Sequence, residues 1–231
     1  MTSPSVDLPP VLALVPHQDD ELLIMGAALR NAIASGRGVQ LVLFGLGDGT
    51  IVRTRDMPRL LGYEPTGAEI GAVRDREFTA CAERLGLSAS AVAMAEPRQH
   101  EKVFDPAVTR RTIQSWLRRM PYAEVWVVSE YDANRDHATM GRVVRDLWAE
   151  GEIALPPRAF VAPWLRASVD EPALEAETAQ IGYWEQAPYR FTDIHAGAWG
   201  VGLKSVRDYF DAQLSDPTTW SYSLERARRR A

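Results

Sequence analysis

Four short apolar runs, rich in β-branched residues, constrain the fold of this chain more than any other feature: Val11 to Val15, Val39 to Phe44, Val125 to Ser129 and Ala159 to Ala162. Each is bounded by turn-forming residues and lacks polar alternation, so each reads as a strand buried on both faces. Helix-like stretches separate them, as the crossovers between parallel strands require. The pattern predicts an α/β protein with a doubly wound, mostly parallel sheet flanked by helices. At 231 residues the chain has enough material for one hydrophobic core, and one domain over 1–231 is expected.

The intervening segments carry helix signals. Met25, Leu29 and Ile33 recur on one face of a helix beginning near Glu21, and Gly36 fits the residue just past its end. A second helix is expected from Glu69 to Leu85, stopping at Gly86; a third starts with Asp105 as N-cap and Pro106 in its first turn. Another follows His137 through Val143, Val144 and Leu147. Between Gly45 and Gly67 the chain is rich in Gly, Pro, Arg and Asp, and reads as a long substrate-covering loop. Gly45, Gly47 and Gly49 lack the spacing and the helix start of a dinucleotide fingerprint.

The first strand runs into Val15-Pro16-His17-Gln18-Asp19-Asp20-Glu21, which sets His17 and Asp20 three residues apart with Asp19 between them. Imidazole nitrogen with carboxylate oxygen is a common ligand mixture for catalytic Zn²⁺, which takes three protein ligands and keeps one position open. The third ligand must come from elsewhere. The chain has four histidines, and His137 closes Asn134-Arg135-Asp136-His137 just after the third apolar run. Both segments therefore lie at the carboxyl edge of the sheet, where open α/β folds bind ligands. His100 reads as a solvated loop residue.

These two segments, with the helix Arg74-Asp75-Arg76-Glu77 running to Leu85-Gly86, resemble the PIG-L/LmbE-type zinc-dependent N-deacetylases. That family carries a His-Pro-Asp-Asp-Glu motif and a later His-x-Asp-His motif. Here Gln18 stands in the proline position and Asn134 in that of the first histidine of the second motif. The resemblance covers about the first two-thirds of the chain. It implies a Rossmann-like sheet, one Zn²⁺ or another divalent ion held by His17, Asp20 and His137, and Asp19 as general base. It also implies that Arg74 contacts a sugar. Asp136 is expected to orient a ligating imidazole as part of the catalytic apparatus. His195, in a Gly- and Trp-containing segment, is a candidate for the catalytic role that Asn134 cannot fill, since an amide does not titrate. Asn134 and Asp48 are expected to line the substrate pocket, and Trp164, Trp199 and Tyr189 to offer faces for stacking.

The expected reaction is removal of an N-acetyl group from an N-acetylglucosamine-type small glycoconjugate or natural product, with specificity held by the loop and by the region from about residue 159. Alternatives are an amidase cutting a larger acyl group, similar to a mycothiol-conjugate amidase, and a catalytically silent sugar-binding scaffold. A Mg²⁺ or Mn²⁺ phosphodiester site is disfavoured, because two histidines point to zinc. A net charge of −5 argues against a nucleic-acid partner, and the basic tail Arg226 to Arg230 reads as a solvated terminus. No apolar run reaches the roughly 20 residues of a membrane span. The first ten residues lack a secretory pattern, so a cytoplasmic location is expected. Cys81, the single cysteine, reads as a core residue. The sequence leaves a homo-oligomer open.

Overall fold

The structure, a computed structural model, describes residues 8–168 and 174–224. The beginning of the chain and the basic tail Arg226 to Arg230 lie outside the described residues. Seven strands form one sheet among the described residues: β1 (Val11–Val15), β2 (Val39–Gly45), β3 (Val92–Gln99), β4 (Glu124–Val128), β5 (Arg158–Val161), β6 (Glu175–Thr178) and β7 (Thr218–Ser223). Their order is β3-β2-β1-β4-β5-β7-β6. The first five pair in parallel, whereas β7 pairs antiparallel with both β5 and β6. The fold is thus the mostly parallel, helix-flanked α/β sheet that the four apolar runs predict. Every residue of β1, at the middle of the parallel part, is buried, as a strand covered on both faces must be.

The sheet extends beyond the predicted strands for physical reasons. β3 occupies one edge and tolerates Pro97, which an interior strand would not. β6 occupies the other edge and alternates Glu with Ala and Thr. Between residues 45 and 67 the structure replaces the expected continuous loop with two short helices, α3 (Val52–Arg55) and α4 (Met57–Leu61). Their buried Val52 and Met57 pack with Ile70, Val73 and Val201 in a small cluster separate from the main core.

The helix expected near Glu21 is split into α1 (Asp20–Leu23) and α2 (Gly26–Ala34). At the break the Asp20 carbonyl accepts from both Ile24 and Met25 N–H, at 3.0 and 3.2 Å, a locally widened turn of the kind common beside functional sites. Gly36 has φ of 78°, as its place beyond the helix end requires. Helix α5 (Gly67–Leu85) begins with a reciprocal Thr66–Glu69 capping box and ends at Gly86. In α6 (Pro106–Arg119), Asp105 caps the N–H groups of Ala107 and Val108. Helix α7 (Arg135–Ala149) meets the end of β4 at Gly141, where a Cβ would fall 2.4 Å from the Glu130 backbone nitrogen. Gly141 lies one turn after His137, so its missing side chain lets that end of α7 close on the sheet edge.

Two further helices, α8 (Tyr183–Arg190) and α9 (Val201–Ser215), complete the described chain. Buried Glu77 of α5 accepts from the first N–H groups of α9, Val201 at 2.8 Å and Gly202 at 3.0 Å. Burial raises its pKa from 4.5 to about 7 although those two donors oppose the shift. A folded carboxyl with a raised pKa keeps its proton where the unfolded chain has released it. Stability is therefore lost as pH climbs from about 4.5 to 7, by up to about 3 kcal/mol. In denaturation series at pH 5, 6, 7 and 8, Glu77→Gln is expected to lack this decline. Parallel pH profiles for wild type and variant would mean that Glu77 titrates as an ordinary glutamate. No helix of the described residues is long and apolar enough to cross a membrane.

Candidate metal centre

Strand β1 lies between β2 and β4, where the strand order reverses direction, and the crevice outside such neighbouring carboxyl ends is where α/β sheets bind ligands. The chain leaving β1 turns sharply over residues 16–20. The His17 backbone N–H donates to Asp20 Oδ2 at 2.9 Å. Asp19 has φ of 105°, a left-handed conformation costing about 1–3 kcal/mol in a non-glycine residue. Its N–H is held by Glu21 Oε2 at 3.0 Å, and the other oxygen of Glu21 accepts from Tyr189 at 2.6 Å. Glu21 is wholly buried, which lifts its pKa to about 7.

The chain leaving β4 brings the second half of the site. Asn134 caps α7 by accepting from the Asp136 N–H at 2.9 Å, which explains a short amide side chain at this position. His137 then projects from the first turn. Its Nε2 lies 3.0 Å from His17 Nδ1 and 3.2 Å from Asp20 Oδ2, and His17 Nδ1 lies 3.5 Å from the same oxygen. These three atoms form a group of metal-ligating type, and all three residues are buried. The remaining nitrogen of each ring meets a carboxylate: His17 Nε2 is 3.0 Å from Asp136 Oδ2, and His137 Nδ1 is 2.9 Å from Asp132 Oδ2. Such carboxylate backing fixes ring orientation and makes an imidazole a better ligand.

Electrostatics fit a cation at the centre. Burial opposes charge on both imidazoles, yet the surrounding carboxylates outweigh it, raising His17 to about 9 and His137 to about 10. Two nitrogens and one oxygen facing each other, with positive charge favoured by three nearby aspartates, make a donor set that could hold a metal ion. Asp19 lies outside that set. Burial pushes its pKa up, and Arg74, whose Nη2 lies 3.7 Å from Asp19 Oδ2, acts in the opposite direction. Arg74 also donates to the Gln18 carbonyl at 2.9 Å and pairs with Glu101.

A cavity of about 630 Å³ opens over these groups and is lined by Asp19, Arg74 and Asn134 as well as His17, Asp20 and His137. Asp48 does not line it; the neighbouring residues 49–51 do. Its carboxylate instead meets His100 Nδ1 at 2.5 Å and accepts from the Glu101 N–H at 3.3 Å. His100 is exposed, as expected of a loop histidine. His195 is not brought to the cavity: it sits exposed on a tight turn whose Asp193 accepts its N–H at 3.1 Å. Of the three aromatic candidates, Trp164 lines the cavity, Tyr189 is buried under Glu21, and Trp199 packs on the small Val52 cluster.

The residues that the sequence reading missed are Asp132, Glu101 and Lys102. Asp132 had a local signal, because an aspartate two residues before the Asn134 cap accepts the Asn134 N–H at 2.8 Å and leaves its other oxygen for His137. Lys102 lines the cavity with φ of 72°; it and Asp19 are the non-glycine residues with positive φ among the described residues. The Lys102 and Phe104 N–H groups donate to the two oxygens of Asp136, at 2.6 and 3.1 Å. The segment after β3 thereby fastens the carboxylate behind His17.

Comparison with known proteins agrees with this architecture. A deacetylase of the teicoplanin biosynthesis pathway superposes with a TM-score of 0.60 at 16% identity, over 93% of this chain and 98% of that one. The N,N'-diacetylchitobiose deacetylase from Pyrococcus horikoshii gives 0.51 at 20% identity, over 67% and 60%. The 4-carboxy-2-hydroxymuconate hydratase from Pseudomonas putida gives 0.55 at 17% identity, over 94% and 96%, so the likeness establishes the fold and not the reaction. A search of curated proteins found no match. The family model described as PIG-L, GlcNAc-PI de-N-acetylase, matches residues 12–148, more than half of the chain and both motif segments, and the chain belongs to that family.

Proposed function

We propose that this protein is a zinc-dependent N-deacetylase acting on a small N-acetylated amino sugar conjugate. The observation carrying this reading is the convergence of His17 Nδ1, His137 Nε2 and Asp20 Oδ2 in the cavity that Asp19 also lines. Two nitrogens and one carboxylate oxygen suit one Zn²⁺ per chain, which when bound supplies Lewis acidity to a water and to an amide carbonyl.

The chain's own groups do the rest. Asp19 accepts a proton from the attacking water and returns it to the amide nitrogen as the C–N bond breaks, leaving acetate and a free amine. Its raised pKa suits a carboxyl that must hold that proton between the two steps. Arg74 and Glu21 keep the Asp19 turn in place, one through the Gln18 carbonyl and the other through the Asp19 N–H. Asp132 and Asp136 orient the two imidazoles. Asn134, at the cavity wall, offers an amide donor to the developing oxyanion and cannot exchange a proton. His195 has no part in this scheme. One domain, 1–231, carries the reaction, with the region from about 159 supplying specificity.

The test is a panel of N-acetylated amino sugars incubated with zinc-loaded protein and assayed for free amine. Release is expected for at least one, abolished by a chelator and restored by zinc. Release from simple acyl amides alone would overturn the sugar assignment, faster release of larger acyl groups would make the protein an amidase, and no release from any compound would sink the reading.

A further inference from the structure

The lining of the cavity divides by chemistry. Around the metal centre it is charged, whereas another part is built from Ile51, Trp164, Leu165, Val206 and Tyr209. All of these but Ile51 lie beyond the segment that the family model matches, so this wall belongs to the chain's own C-terminal region. The rings of Trp164 and Tyr209 stack with centroids 3.7 Å apart and an angle of 5° between planes. Each ring has one face covered by the other, so the pair acts as a rigid flat unit. Trp164 is 38% exposed and Ile51 55% exposed, large apolar side chains left open to the cavity region rather than packed away.

The backbone is also unusual here. Helix α9 departs from helical geometry at Val206, with φ of −141° and ψ of 50°, and no proline lies at or beside that residue to cause the break. Two bonds join this wall to the segment after β2: Thr50 Oγ1 lies 3.4 Å from Ser205 Oγ, and Arg55 donates to the Lys204 carbonyl at 2.7 Å. They hold Ile51 and the Trp164–Tyr209 stack in a fixed relation across one cavity.

We propose that Trp164, Tyr209, Val206 and Ile51 form a subsite for a flat aromatic group carried by the substrate beside its N-acylated amine. The inference rests on the deacetylase reading for the reacting end of the substrate and on this wall alone for the aromatic end. A sugar ring in the same place would bring hydroxyl groups that need partners once removed from water. The wall supplies mostly hydrocarbon and aromatic surface: the hydroxyls of Thr50 and Ser205 are engaged with each other, which leaves the Tyr209 phenol as the hydroxyl of this wall that faces a ligand, too few partners for the several hydroxyls of a sugar ring. An aromatic ring needs no such partners and gains from offset stacking on the exposed indole as well as from area burial. The substrate class that follows is an aryl conjugate of an N-acyl amino sugar, selected over the free sugar.

Calorimetric titration of the zinc-loaded Asp19→Asn protein, in which turnover is suppressed, tests this with the methyl and phenyl β-glycosides of N-acetylglucosamine. The phenyl glycoside is expected to bind about tenfold more tightly, an advantage of the size that one stacked ring provides. Trp164→Ala should erase that preference while leaving the methyl glycoside unaffected, and Trp164→Phe should keep most of it; Tyr209→Leu serves as a second erasing variant if Trp164→Ala does not fold. Equal affinities, no measurable binding of the phenyl glycoside, or an equal loss for both probes in Trp164→Ala would overturn the proposal, the last by assigning the indole to the sugar face. Free-amine release from the same probes, followed with wild-type protein, separates the two readings. Preference without release from these probes or from any compound of the panel removes the deacetylase and keeps the subsite, and release without preference does the reverse.

Discussion

Asp19→Asn is expected to lower turnover by about 10² to 10⁴, the usual worth of a positioned acid–base group, while leaving fold and zinc content unchanged. The substitution is nearly isosteric, and asparagine is among the few residues that accept the left-handed conformation that Asp19 adopts at φ of 105°. The contact that holds the turn uses the backbone N–H of Asp19 rather than its side chain. Arg74 keeps its bonds to the Gln18 carbonyl and to Glu101 when the carboxylate is lost. Burial already disfavours the charged form of Asp19, so an amide there removes an electrostatic cost. Metal analysis, a melting curve and steady-state release of amine suffice as readouts. Turnover within about twofold of wild type would remove Asp19 as the base. Loss of zinc would instead move it into the ligand set.

What could be read from the sequence follows where the determinants lie along the chain. Strands β1, β2, β4 and β5 announce themselves because a parallel interior strand is apolar on both faces, a property of five or so adjacent residues. Strands β3 and β6 do not, since an edge strand is free to carry Pro97 or Glu175 and Glu177 and owes its existence to its one neighbour. Helices α3 and α4 are too short to show a period.

The site divides in the same way. His17 and Asp20 are legible because they closely follow the end of β1, and His137 because it stands in the first turn of the helix that follows β4. Glu101 is not, because its partner Arg74 is 27 residues away and only the closed fold brings them together. Tyr189 sits in loop-like sequence, yet α8 packs against α5 and carries its ring under Glu21. His195 has the composition of a binding loop, but its turn is closed by paired bonds between Asp193 and Ala198 on an exposed part of the surface. Local composition names residue types suited to chemistry; long-range packing decides which of them meet.

His137→Ala is the second change with a large expected effect, and its strength lies in comparison with weaker variants. Removing this imidazole leaves two of three ligating atoms, and purified protein is expected to fall from about one zinc per chain to near none, with turnover at background. Asp132→Asn should be milder. An amide oxygen still accepts a hydrogen bond from His137 Nδ1 but lacks the charge that strengthens the imidazole, a change worth about 10- to 100-fold in metal affinity. Asp136→Asn should cost at least as much, because Asp136 serves His17 and also fastens the Lys102 and Phe104 N–H groups. A competitive zinc titration with a chelating dye ranks all four proteins on one scale. Unchanged stoichiometry in His137→Ala would take it out of the ligand set. Wild-type affinity in both asparagine variants would mean that the two carboxylates hold the loops and not the rings, whereas a graded order places one carboxylate behind each imidazole.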